Sequence, residues 1–143
     1  MTETPQGKPL SKVTVRWDGG QRFDAGVTGK KETIRIDGNR DAGPSPVDAL
    51  LGALAACTGV DVVEILAKRR TPVEGMSVSV TGERATVTPS RVTKIVLDFK
   101  IRGAGIERAH AERAIELAVT KYCSVRDTLD PNMPIEWTLQ LDS

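Results

Sequence analysis

The chain has 143 residues, 20 of them basic and 19 acidic, for a net charge of +1. That balance gives no electrostatic reason to expect a nucleic acid or an anionic membrane as partner, and five aromatic side chains leave little for stacking on bases. With 39% hydrophobic and 27% charged residues the composition is that of a globular protein whose core rests on Val, Ile, Leu and Ala.

The length suits one domain, residues 1–143, with residues 1–11 as a flexible N-terminal segment. Residues 1–12 are polar and hold Pro5, Gly7 and Pro9, without the apolar run of a signal peptide. The longest uncharged apolar stretch, Ala49 to Val60, stops at Asp61, whereas a membrane-spanning helix needs about 20 residues. A soluble, cytoplasmic protein is expected.

Lys12–Trp17 alternates polar with apolar residues and reads as a strand; Asp18-Gly19-Gly20 is a turn. Gln21–Thr28 and Thr33–Ile36 follow as two further strands of an antiparallel meander. Ser45-Pro46-Val47-Asp48 then carries a helix start, with Ser45 as N-cap, Pro46 at the first helical position and Asp48 closing a capping box. The helix it opens is about 25 residues long, expected to be buried nearly all round through its first four turns, and ends at Thr71-Pro72. Val73–Glu83 and Arg91–Arg102 alternate as a hairpin, and Ile106 to about Tyr122 has helical spacing. Ser124-Val125-Arg126-Asp127 is a second capping-box pattern, so a short helix is expected just after Cys123, and Pro134–Leu141 closes the chain as a strand. The order implies an α+β domain with the long helix as its central element.

Few residues offer chemistry. Gly103-Ala104-Gly105 lies between strand and helix, but Arg108 stands where a dinucleotide fingerprint needs glycine, so this is a turn. Two thiols and His110 match no zinc spacing; neither a metal nor a cofactor is expected. Cys57 lies in Leu54-Ala55-Ala56-Cys57-Thr58-Gly59, where free cysteine commonly packs as a small hydrophobe. Against that, Gly52 and Gly59 bracket it, and several alanines suggest close approach by another surface. Asp61, four residues on, is a carboxylate in an apolar run, read as hydrogen-bonded or interfacial. Cys123, at a junction between helices, is either buried filler or a thiol favoured as thiolate by the amides ahead of it. A reactive Cys57 needs a nearby cation, since it lies too far into its helix to use the N-terminal dipole. Arg22 is the candidate, with Arg16 and Arg126 in reserve.

Ser45-Pro46-Val47-Asp48-Ala49-Leu50-Leu51 leading to Ala55-Ala56-Cys57-Thr58-Gly59-Val60-Asp61, with Lys121-Tyr122-Cys123-Ser124-Val125 downstream, resembles the OsmC/Ohr family of osmotically inducible and organic hydroperoxide resistance proteins. The likeness runs in order along nearly the whole chain and is greatest to the YhfA-like branch. It implies antiparallel sheets packed around the long central helix, in an intertwined homodimer with two sites at the subunit interface. It also implies reduction of organic hydroperoxides, Cys57 attacking and Cys123 resolving, with an external dithiol of the lipoyl type as reductant. The family places a glutamate after the helix-opening proline, paired with the activating arginine; here that position is Val47 and the acid is Asp48, one residue later. Asp48 is therefore either the partner of that arginine or a capping residue alone. Two other readings compete with the peroxidase: a module binding a small apolar ligand at the dimer interface, and a plain structural dimer.

Overall fold

The computed structural model describes residues 7–143, so residues 1–6 of the expected N-terminal segment lie outside the described residues. It has the α+β class anticipated, with two three-stranded sheets and a long helix. The chain divides into two compact units, Met1–Ala49 and Leu50–Ser143.

The first unit is built on a meander of β1 (Val13–Trp17), β2 (Arg22–Val27) and β3 (Ile34–Asp37). Both pairings are antiparallel, with Val15 opposite Ala25 and Trp17 opposite Phe23. The β1–β2 turn needs its glycines, since Gly19 and Gly20 adopt φ of +85° and +56°. Arg35 of β3 binds Asp24 of β2 at 2.8 Å and Asp18 of the turn at 2.9 Å, tying the polar face together. The other face is apolar and exposed: Val13, Val15, Trp17, Phe23, Val27 and Ile34 all point to solvent.

After β3 the chain turns around the buried carboxylate of Asp37, which accepts backbone N–H groups from Asn39 at 2.9 Å and Ala42 at 3.0 Å. The helix start is as read: the Asp48 N–H donates to Ser45 Oγ at 3.1 Å and the Ser45 N–H to Asp48 Oδ2 at 3.0 Å. Helix α1 (Pro46–Lys68) opens there and continues through the second unit. Its C-terminus is closed by Thr71 N–H to Leu66 C=O, with Arg70 at φ +64° in the left-handed position that glycine usually takes.

In the second unit α1 packs with a sheet of order β4-β5-β6, made of β4 (Gly75–Arg84), β5 (Val92–Arg102) and β6 (Ile135–Asp142). The alternation of β5 delivers Ile95, Leu97, Phe99 and Ile101 to one face, all buried. They meet Leu54, Val62 and Leu66 of α1 and Ala111, Ala114 and Ile115 of α2 (Arg108–Leu117) in one core. By length and mean hydropathy, 1.9, α1 resembles a membrane span. Its Leu54, Thr58, Val62 and Leu66, spaced four apart and fully buried, make it a core helix instead.

Three details differ from expectation. β4 and β5 form the antiparallel hairpin, but β6 runs parallel to β5. The intervening helical crossover carries the chain back to the starting end of β5, as a parallel neighbour requires. The helix expected through Tyr122 is α-helical only to Leu117 and continues as a π-helical turn, Ala118–Tyr122. Finally, α1 is not covered all round within the chain, because Leu50, Val60 and Val63 remain exposed.

Candidate redox site

Both thiols belong to the second unit. Cys57 is half-buried on α1. Its neighbour Thr58 is wholly buried and spends its hydroxyl proton on the carbonyls of Leu54 and Ala55, 3.1 and 3.0 Å away. The flanking glycines split in meaning. A Cβ on Gly59 would lie 3.3 Å from the Met76 methyl of β4, so that glycine marks close helix–sheet packing, whereas one on Gly52 would meet nothing within 4 Å.

Cys123 is reached through the π-helical turn, whose wider winding lets the Cys123 N–H donate to Ala118 C=O at 3.0 Å. The residue itself is buried, 4% exposed, and is the N-cap of α3 (Ser124–Thr128). Its Sγ accepts the Arg126 N–H at 3.3 Å. The short helix begins where expected, but the cap is the cysteine sulfur and not the Ser124 hydroxyl.

Burial pushes the Cys123 thiol up to about 11. The Arg126 amide pulls against this, while Cys57 raises it further, first as a hydrogen-bond partner and then by its charge. Those two effects require adjacent side chains. Folding thus brings together two free thiols that lie 66 residues apart in sequence.

Asp61 follows Cys57 by one helical turn. Its Oδ2 is buried without a hydrogen-bond partner among the described residues, and burial, aided by the Glu64 charge, raises its pKa. An unsatisfied buried acceptor costs about 1–3 kcal/mol, so apolar packing alone would not select it.

The cation candidates fall in different places. Arg22 donates from Nη2 to the Asp18 carbonyl at 3.0 Å, bracing its own turn, and the charge of Arg16 acts on Asp24. Arg126 offers its amide to Cys123 while its guanidinium holds the carbonyls of Asp130, Pro131 and Met133. Asp48 does bind a guanidinium besides capping α1, but it is that of Arg40, through two bonds of 2.7 and 3.0 Å. The Arg40 bond, followed by those from Ser45, lowers the Asp48 pKa to about 2. Sequence reasoning missed Arg40, which stands at φ +59° in the loop folded around Asp37. The turn signal Asp37-Gly38-Asn39 was the visible clue that the residue after it would be presented in an unusual conformation.

A family model described as OsmC-like protein matches residues 37–138, most of the chain and both cysteines. The chain belongs to the OsmC-like family. Protein YhfA of Escherichia coli K12 is 38% identical to this OsmC-like protein over 115 residues, covering 80% of the chain and 85% of the relative. Among solved structures, an OsmC-like protein of Mycoplasma pneumoniae superposes with a TM-score of 0.78 at 20% identity, covering 96% of this chain and 99% of the other. The organic hydroperoxide resistance protein OhrB of Bacillus subtilis follows the same fold at a TM-score of 0.59 and 16% identity, over 93% and 98% of the two chains.

Two cavities of the OsmC-like chain border the thiol helix. One, of about 570 Å³, is mostly apolar and runs along Ala55, Ala56, Gly59, Val60 and Val63 of α1 and Met76 of β4. The other, of about 610 Å³, lies between Asp61, Lys68 and Arg69 of α1, Leu117 of α2 and Tyr122.

Proposed function

We propose that this protein is a thiol-dependent peroxidase that reduces organic hydroperoxides by a two-cysteine cycle. The observation that carries the reading is the adjacency of Cys57 and Cys123, free and within each other's electrostatic reach. Cys57, as thiolate, attacks the outer peroxide oxygen; the S–O bond forms, the O–O bond breaks, and the alkoxide leaves and takes up a proton as alcohol. Cys123 then attacks the sulfenic sulfur, forming the disulfide while the sulfenic oxygen departs as water. An external dithiol, of the lipoyl type, returns two electrons and two protons. A thiol as reluctant to ionise as Cys123 suits the second role, because it does not compete for peroxide.

The active form in this reading is a homodimer in a reducing, cytoplasmic setting that keeps the thiols unlinked between turnovers. The exposed apolar face of β1–β2–β3 and the exposed Leu50, Val60 and Val63 of α1 support the dimer, since faces of this kind are normally covered. Arg22 and Asp48 are carried as members of the activating pair, with Arg40, the guanidinium that Asp48 holds, as the competing cation. Ultraviolet titration of the thiolate in Arg22→Gln and Arg40→Gln separates them: the variant that raises the Cys57 pKa identifies the cation.

The decisive experiment is steady-state reduction of cumene hydroperoxide with dihydrolipoamide. Wild type turns over and Cys57→Ser does not; equal rates end the proposal. The apolar cavity along α1 favours the second reading, a module that binds a small apolar molecule. Intact mass after one equivalent of peroxide distinguishes the two, because only the peroxidase loses two hydrogens with Cys57 linked to Cys123.

A further inference from the structure

Asp61 has no role in the cycle just described, yet its placement is specific. Helical spacing sets it on the same side of α1 as Cys57, with the two Cβ atoms about 5–6 Å apart. Its Oδ2 is shielded from solvent and receives no hydrogen bond among the described residues. The same side chain lines the 610 Å³ cavity together with Tyr122, the residue that precedes Cys123. One carboxylate thus stands one turn from the first sulfur, across a cavity from the chain neighbour of the second.

The resolving step has a proton to move. Cys123 carries a thiol held up to about 11 by burial, so at neutral pH it reaches the sulfenic acid protonated. That proton must leave as the S–S bond forms, and the departing hydroxide must gain one.

We propose that Asp61 is the proton-transfer residue of this step: its carboxylate takes the Cys123 proton as that sulfur attacks Cys57, and returns it to the hydroxide leaving as water. The proton balance closes within the site, and Asp61 ends each turn as it began. The inference rests on the peroxidase reading. Burial and the Glu64 charge raise the proton affinity of Asp61, bringing it nearer to that of the thiol it serves. The charged and titratable groups lining the cavity with it are Glu64, Lys68 and Arg69 of α1 and Tyr122 of the π-helical turn, over whose ring Lys121 lies at 5.4 Å.

The test mixes the full-length protein with one equivalent of cumene hydroperoxide, following sulfenic acid by dimedone capture and disulfide by intact mass. In Asp61→Asn the sulfenic acid forms at the wild-type rate but persists, with disulfide formation slowed about 10²-fold at neutral pH. The defect shrinks as pH rises toward the Cys123 pKa, where the thiol ionises unaided. Asp61→Glu keeps the wild-type sulfenate lifetime. In Asp61→Ala, formate restores disulfide formation in proportion to its concentration, a rescue that a structural role would not give. An Asn variant that closes the disulfide at the wild-type rate overturns the proposal, whether or not its subunit association weakens. A wild type that never forms sulfenic acid removes the peroxidase reading and this inference with it, whereas normal chemistry in both proteins removes the inference alone.

Discussion

The two three-stranded sheets of this protein solve the same problem in opposite ways. β4–β5–β6 turns Leu97 and Phe99 inward, against α1 and α2, and leaves them 0% and 1% exposed. β1–β2–β3 offers a comparable apolar face, yet Val15 and Trp17 on it are 55% and 64% exposed. The first arrangement is self-sufficient; the second is left for something else to complete. Length does not explain the contrast, since a five-residue strand such as β1 holds enough apolar surface to be worth burying. What separates them is the presence of helices in the same unit.

The largest test of that contrast is truncation in the closed sheet. Phe99→Ala should cost about 3–5 kcal/mol of unfolding free energy, measured by urea denaturation, because the surrounding core cannot collapse into the space. A loss under about 1 kcal/mol would mean that the core is far looser than its burial indicates. Next is Trp17→Ala in the open sheet. In the proposed homodimer it should weaken subunit association by about 2 kcal/mol in sedimentation equilibrium while leaving monomer stability nearly unchanged. Loss of monomer stability instead would show that the open face packs within its own chain. The smallest effect concerns the polar edge of the first unit. Asp48 has its pKa lowered from 3.8 to about 2, so the stability it contributes is full above 3.8 and is lost as pH falls through 2. Acid unfolding of Asp48→Asn should therefore show a shallower decline over that window, with the remaining slope coming from Asp24 and Asp37, whose pKa values are also lowered.

Much of the architecture is legible in the residues because local chemistry decides it. Ser45 and Asp48 fix the start of α1 by mutual hydrogen bonds, and the period-two pattern of β5 fixes which of its side chains enter the core. The direction of β6 is not legible, because Ile135–Asp142 alternates identically whether it runs with β5 or against it. The cap of α3 was misplaced by one residue for a related reason: Ser124-x-x-Asp127 is the stronger local pattern, and only the π-helical turn before it brings the Cys123 sulfur onto the Arg126 amide. The thiol pair could be suspected from its two sequence segments, but its adjacency depends on α1 and the crossover being packed together, which no local pattern encodes. Arg40 escaped notice because its partnership with Asp48 depends on the backbone path of a loop shaped by Asp37.

The sulfur of Cys123 is a fastening for the helix that follows it and, in the proposed cycle, a reactant as well. Serine, whose oxygen terminates helices better than a thiol, can inherit the fastening and cannot inherit the chemistry. In the proposed cycle, replacing that single atom leaves the scaffold intact and removes the thiol that closes the disulfide, so that silence in an assay of Cys123→Ser reports on redox chemistry rather than on collapse of the fold.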